Sequence, residues 1–190
     1  MPIKIFIDQG HNPYGVNAGA EGNGLREQDI TYEVGRLLAE LLRGDGRFAV
    51  RLSRNFPEEI LGTSNATSLQ TRVRMANSWP ADYFISIHCN ASVNPDINGT
   101  EMYVYAKHTQ SYWLAQHLLN GVVESVGTAD NGVRLNPSLY VLRNTRMPAV
   151  LAELAYISNE QDAQKLESDP YGFADGLYNG ILSYFGFQRY

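Results

Sequence analysis

The chain reads as a single α/β domain, built on a mostly parallel, twisted mixed sheet of about six strands with helices on both faces. Three observations predict this. Short apolar stretches of period two alternate along the chain with longer stretches of period 3.6. No linker, internal repeat or low-complexity segment interrupts the 190 residues, a length that supports one full hydrophobic core, so residues 1–190 are expected to form one domain. The histidines and acids able to carry chemistry fall at or near strand ends, the rim where open α/β sheets bind ligands.

The elements follow in order. Ile3, Ile5 and Ile7 alternate with Lys4 and Phe6 in a first strand ending at Asp8. Gly10 lets the backbone turn sharply into His11, and residues 12–24, rich in glycine and asparagine, form a loop beside it. Ile30, Val34, Leu37, Leu38, Leu41 and Leu42 recur at three- and four-residue steps, which predicts an amphipathic helix from about Glu27 to Arg43. Glu27 lies one turn before Ile30, roughly on its face, and so points towards the sheet; its plainer role is to favour the helix N-terminus through the macrodipole. Gly44-Asp45-Gly46 stops that helix, and Phe48, Val50 and Leu52 make the second strand.

Residues 55–68 are polar, with Pro57 and Gly62, and read as a surface loop; a helix from Ser68 to Ser78 follows, closed by Trp79-Pro80. The apolar run Tyr83–Ile87 then delivers His88, with the turn-forming Asn90 just beyond. Between Gly99 and Tyr105, Thr100, Met102 and Val104 alternate with Glu101, Tyr103 and Tyr105 as a further strand. Gln110–Val126 is a long amphipathic helix, and Gly127–Pro137 is expected to be a loop. Short apolar runs follow at Leu139–Leu142 and at Ala149–Leu154, the latter containing Glu153. Ser158-Asn159-Glu160-Gln161 has the form of a capping box opening a helix towards Leu166. Pro170–Phe185 is a last helix, with Phe173, Leu177, Ile181 and Leu182 on one face.

Composition narrows the function. Lys and Arg number 15 against 20 Asp and Glu, a net charge of −5, and no basic cluster occurs; a nucleic-acid partner is excluded on that basis. The single cysteine allows no internal disulfide. No apolar run approaches the roughly 18 residues of a transmembrane helix. Met1–Ile7, followed at once by Asp8, is too short for a signal peptide.

His11, His88 and Glu153 each lie at or just past a strand end, and Glu27 opens the helix after the first strand. Parallel strands would gather all four on one rim. Two imidazoles and a carboxylate are the ligand set of many hydrolytic zinc sites, which keep a further position open for water. A second carboxylate nearby can serve as general base and then as acid. Of the other histidines, His108 lies just before the 110–126 helix and His117 within it, and both are read as solvent-facing or helix-packing. Cys89 is turned away from His88 by strand alternation and is read as a small core residue. Arg72 is expected to brace the loop under the site. Arg134, Asn136 and Arg143 border a glycine-containing loop and are candidates to bind carboxylates through forked hydrogen bonds.

These residues resemble a family, the zinc-dependent N-acetylmuramoyl-L-alanine amidases of the amidase-3 group, over nearly the whole chain. The family's Asp-Pro-Gly-His strand end is matched by Asp8-Gln9-Gly10-His11, and its Gly-to-Glu helix start by Gly24-Leu25-Arg26-Glu27. Leu69, Arg72, Ala76 and Asn77 match a helix signature that runs into Ala81-Asp82 and Ser86-Ile87-His88-Cys89-Asn90. Leu139–Arg143, Pro148–Glu153 and Ser158-Asn159 complete the ordered matches. The resemblance implies that His11, Glu27 and His88 bind one zinc ion and that Glu153 is the catalytic glutamate. The implied reaction is hydrolysis of the amide between the lactyl group of N-acetylmuramic acid and L-alanine of the stem peptide. Peptidoglycan or muropeptides are then the partners of a monomer; Asn90, Arg134, Asn136 and Arg143 are candidate substrate contacts from their own chemistry and placement. Action in the cell wall, periplasm or extracellular space implies a removed leader or release by lysis. Gln9 and Asn12 depart from the family's proline and glycine beside the metal loop, and are expected to bear on the shape of the substrate groove. The rival readings are a zinc peptidase cutting within the stem peptide and a wall-binding domain without catalysis; the complete residue set argues against the second.

Overall fold

A computed structural model describes residues 1–189; Tyr190, the last residue of the expected domain, lies outside them. In chain order the elements are β1 (Ile3–Gln9), β2 (Glu21–Gly22), β3 (Leu25–Arg26), α1 (Glu27–Asp45), β4 (Phe48–Leu52), α2 (Asn65–Ser78) and β5 (Tyr83–Asn90). They continue with β6 (Thr100–Val104), α3 (Gln110–Val126), β7 (Asp130–Leu135), α4 (Tyr140–Asn144), β8 (Ala149–Tyr156), α5 (Glu160–Ser168) and α6 (Pro170–Phe185). Six strands form one sheet in the order β4-β1-β5-β8-β6-β7. All neighbours run parallel except β6 against β8, so the mostly parallel mixed sheet is as expected.

Strand alternation assigns the two faces. Ile5 and Ile7 of β1, Ile85, Ile87 and Cys89 of β5, and Val150, Ala152 and Leu154 of β8 join the core beneath α1, α3 and α6. Phe6, Phe84 and Leu151 point the other way, against Val73 and Ala76 of α2 and Val141 and Leu142 of α4. That second layer is short. It covers β1, β5 and β8 and leaves the side of β6 and β7 open, with Tyr105 and Leu135 exposed.

Glycine sets how closely the first layer packs. Gly176 and Gly180 of α6 recur at one-turn spacing and meet Gly121 of α3. A Cβ on Gly121 would lie 2.2 Å from the Gly176 carbonyl oxygen, and one on Gly180 2.6 Å from that of His117. The two helices therefore touch backbone to backbone, a contact that no larger residue permits.

Four sequence readings change. The 127–137 segment contains β7, not only a loop; as an edge strand paired on one side, it carries no apolar alternation that could reveal it. Leu139–Leu142 leads into a single turn of helix. The helix expected from Ser68 starts earlier, because Ser64 and Thr67 form a capping box that draws in Asn65, Ala66 and Thr67. At α5 the cap is Asn159, whose side chain accepts from the Asp162 amide at 3.0 Å, so the Ser158–Gln161 box does not form.

The expected brace is present. Arg72 is buried on α2; its Nη1 is 2.7 Å from Asp8 Oδ1 and its Nη2 donates to the His11 carbonyl at 2.6 Å. Ser86 on β5 donates to the other Asp8 oxygen at 2.8 Å. Burial opposes the charge on Asp8, but the Arg72 guanidinium and these hydrogen bonds outweigh it and hold its carboxyl below the usual range. Arg72→Leu would strand a buried carboxylate, and should cost about 3–5 kcal/mol in urea unfolding at pH 7. The pair's contribution is present above the ordinary aspartate pKa of about 3.9 and is lost as pH falls through the lowered folded value. The gap between wild type and Arg72→Leu should therefore narrow below about pH 4.

Candidate metal centre

Three elements deliver three side chains to one rim of the sheet. At the end of β1, Gly10 bonds its amide to the Ile87 carbonyl of β5 at 2.9 Å, and the chain turns at His11 with φ 68°. This left-handed conformation costs a non-glycine residue about 1 kcal/mol. The His11 carbonyl is fixed by Arg72, and its Nδ1 lies 3.1 Å from the Asn17 carbonyl oxygen. A hydrogen bond there leaves Nε2 free to act as a ligand. On β5, alternation puts Phe84, Ser86, His88 and Asn90 on one face, so His88 projects beside His11 with ring centroids 4.8 Å apart. Gly10 makes this approach possible, since a Cβ there would lie 2.5 Å from the His88 ring.

Glu27, the first residue of α1, completes the group. Its Oε1 is 3.0 Å from His11 Nε2 and 3.0 Å from His88 Nδ1, and accepts the Cys89 amide at 3.1 Å. Its Oε2 accepts the Ala20 amide at 2.8 Å. The carboxylate is 4% exposed, so burial works against its charge; hydrogen bonds with the two imidazoles reverse that and hold its pKa far below the ordinary value. His11, Glu27 and His88 each offer a ligand atom, all within 4.8 Å of one another. Two imidazoles and an ionised carboxylate at this spacing fit a divalent metal, and zinc favours this donor set.

Glu153 stands one strand further along. On β8 it pairs in register with His88 of β5 on one side and Glu101 of β6 on the other. The residue is partly exposed to the rim, yet its Oε2 is sealed from solvent and has no hydrogen-bond partner among the described residues. Burial, with the charges of Glu27 and Glu101 adding to it, pushes its pKa up to about 8. One carboxylate is thus kept ionised and another poised to hold a proton, which is the arrangement that separates ligand from acid–base group.

The remaining candidates divide. Asn90 donates towards Glu101 at 3.4 Å and Arg134 lies 3.0 Å from the same carboxylate, so both join the open side of the site. Asn136 and Arg143 do not. The Asn136 amide bonds to Val104, the last residue of the reversed strand β6, and its side chain accepts from Ser138; it stands at the opposite rim. Arg143, on α4, lines a separate cleft with Tyr105 and Met147. Gln9 and Asn12 do not shape the groove as expected: both are fully buried. Gln9 accepts from the Arg54 amide at 2.9 Å, and Asn12 exchanges hydrogen bonds of 3.0 Å with Leu61. They anchor the His11 loop from behind. Cys89 is a buried core thiol, and His117 packs on Tyr184 with Nδ1 2.9 Å from Ser183 Oγ.

Sequence reading missed Glu101. It is 2% exposed, and accepts from Tyr103 at 2.7 Å and Tyr156 at 2.8 Å. Its signal was present in the strand phase it shares with Tyr103, but only the reversal of β6 places that phase beside Glu153.

A mostly parallel sheet with a two-histidine, one-glutamate cluster and a poised second glutamate on its rim defines a candidate metal-dependent hydrolase. A family model described as N-acetylmuramoyl-L-alanine amidase matches residues 5–183, and the chain belongs to that family. It is 35% identical over 187 residues to the N-acetylmuramoyl-L-alanine amidase LytC of Bacillus subtilis (strain 168), covering 95% of this chain and 35% of that protein. It is likewise 35% identical over 193 residues to the N-acetylmuramoyl-L-alanine amidase CwlM of Bacillus licheniformis, covering 98% of this chain and 70% of the relative. The chain thus spans about a third of the length of the first and most of the second. Among solved structures, the catalytic domain of CwlV, an N-acetylmuramoyl-L-alanine amidase from Bacillus (Paenibacillus) polymyxa var. colistinus, superposes with a TM-score of 0.85 at 28% identity, covering 98% of this chain and 99% of that one.

The pKa of Glu153 makes a stability prediction. A carboxyl raised in the fold favours folding below its unfolded pKa, and that contribution is lost as pH rises through the folded value, here about 8. Glu153→Gln should therefore stabilise the metal-free protein at pH 9 by about 2–4 kcal/mol in denaturant unfolding. The difference should vanish below about pH 4, under the unfolded glutamate pKa of about 4.3.

Proposed function

We propose that this chain is the catalytic domain of a zinc-dependent N-acetylmuramoyl-L-alanine amidase. It hydrolyses the amide joining the lactyl group of N-acetylmuramic acid to L-alanine of the peptidoglycan stem peptide. The observation that carries the reading is the pairing of the His11–Glu27–His88 cluster with the buried, unpartnered carboxyl oxygen of Glu153. In this reading His11, Glu27 and His88 hold a single zinc ion. Bound zinc would acidify water and polarise the scissile carbonyl.

The chain's own residues supply the rest. Glu153 takes a proton from the attacking water and returns it to the alanine nitrogen as the amide breaks. Burial and the charges of Glu27 and Glu101 raise its proton affinity in the metal-free protein, which suits return of the proton to the alanine nitrogen; a cation at the ligand cluster would favour the ionised form that the attack requires. Arg72 and Asn17 fix the His11 loop, and backbone amides of Ala20 and Cys89 fix Glu27, so the ligands are held before substrate arrives. The open face beyond Glu153 leaves room for an extended peptide.

Action as a monomer is part of this reading. The substrate places the work at the cell wall, in the periplasm or outside the cell. Among the described residues no helix is long and apolar enough to cross a membrane.

The test is digestion of purified peptidoglycan followed by mass spectrometry. Free alanine amino termini with matching lactyl carboxylates are expected, abolished by chelation and restored by zinc. New amino termini within the stem would favour a peptidase instead. Glu153→Ala should retain zinc and lose turnover by about two or more orders of magnitude, the scale of a lost general acid–base group. Zinc lost from that variant would reverse the assignment of ligand and base.

A further inference from the structure

Past Glu153 the open sheet face runs into a cleft of about 620 Å³, whose walls include Asn90, Asp96, Glu101, Tyr103, Arg134 and Tyr156. Glu101 is the unusual member, a carboxylate 2% exposed on the uncovered half of the sheet. Two phenols donate to it, from Tyr103 at 2.7 Å and Tyr156 at 2.8 Å, and Arg134 Nη2 lies 3.0 Å away. Neither tyrosine hydroxyl proton is left for substrate. What the cluster leaves available is Arg134: its side chain is 52% exposed, and its other guanidinium N–H groups have no protein partner among the described residues. Glu101 holds one side of the guanidinium fork and turns the rest to the cleft. Arg134 is the one cation among the residues lining it, and Asp96 is an acid.

We propose that Arg134, positioned by Glu101, binds the first free carboxylate of the stem peptide on the leaving side of the scissile amide, and so selects an acid over an amide at the second stem residue. This rests on the amidase reading above. Strand order sets the geometry: His11 follows β1, His88 lies on β5, Glu153 on β8, Glu101 on β6 and Arg134 on β7. Glu153 delivers its proton to the alanine nitrogen, so the departing peptide lies towards β6 and β7 and the muramoyl side over β1 and β5. In a second-position glutamate linked through its side chain, the α-carboxylate is about five bonds from that nitrogen, roughly 5–6 Å of extended chain. The step from Glu153 to its cross-strand partner Glu101 is about 5 Å, which brings the guanidinium held by Glu101 within reach. Asp96 and Glu101 are the acids of the cleft, so Arg134 is its only charged group able to attract a carboxylate.

The experiment measures kcat/KM of the zinc-loaded protein on two muramoyl-L-alanyl dipeptides that differ only in the second residue's α-group, carboxylate or carboxamide. Wild type should prefer the acid by about tenfold or more, the scale of one charge-assisted hydrogen bond. Arg134→Ala should bring the ratio to about one through loss on the acid, and Arg134→Lys should restore part of it. Glu101→Gln, which loosens the guanidinium without removing it, should shrink the same ratio. Zinc content and circular dichroism establish that each variant is folded. A wild-type ratio near one, or an Arg134→Ala ratio equal to that of wild type, overturns the subsite while leaving the amidase activity standing. Cleavage of neither compound at the alanine amide overturns both.

Discussion

Glu27 carries two imidazoles on one oxygen, at 3.0 Å each, and draws backbone amides from Ala20 and Cys89 to its two oxygens. Those contacts join the first turn of α1, the loop after β1 and the end of β5. The arrangement holds only if the carboxylate is ionised. Its burial would favour the neutral acid, and the histidines tip the balance the other way. A cation seated among these groups would take over the attraction that the imidazoles now supply, so the arrangement suits a divalent cation.

Everything behind Glu27 serves to keep that rim in place. Asp8 and Arg72 fill the buried space beneath it, and Arg72 reaches on to the carbonyl of His11, whose left-handed backbone needs an anchor. A buried ion pair is a weak source of net stability but a strong constraint on geometry. Gln9 and Asn12, both buried, tie the same loop to Arg54 and Leu61. The side of the sheet that carries the site is covered by α2 and α4, and the uncovered strands β6 and β7 form a surface continuous with the His11–Glu27–His88 cluster and Glu153.

Much of this was legible from residue order. The apolar runs of β1, β5 and β8 are strong because each strand is buried on both faces or nearly so, and they located His11 just past β1, His88 late in β5 and Glu153 within β8. Arg72 was readable as a brace because an arginine facing the sheet from a helix needs partners. What escaped was set by tertiary pairing. β7 is polar and hydrogen-bonded along one edge, so no pattern marks it, and Arg134 was read as a loop residue. Glu101 becomes part of the site only because β6 runs against β8. Asn136 and Arg143 looked equivalent to Arg134 in the sequence, yet the same reversal sends Asn136 to the far rim. The substitutions Gln9 and Asn12 sit next to the metal loop in sequence but point into the protein, a distinction that strand phase alone did not resolve.

The central claim is that His11, Glu27 and His88 are the protein's ligands to one zinc ion. X-ray absorption at the zinc edge of the metal-loaded protein tests it most directly. The account predicts one equivalent of zinc with only nitrogen and oxygen neighbours at about 2.0–2.2 Å and outer-shell scattering from two imidazoles. A sulfur neighbour at about 2.3 Å, which Cys89 alone could supply among the cysteines, or scattering from fewer than two imidazoles, would contradict it.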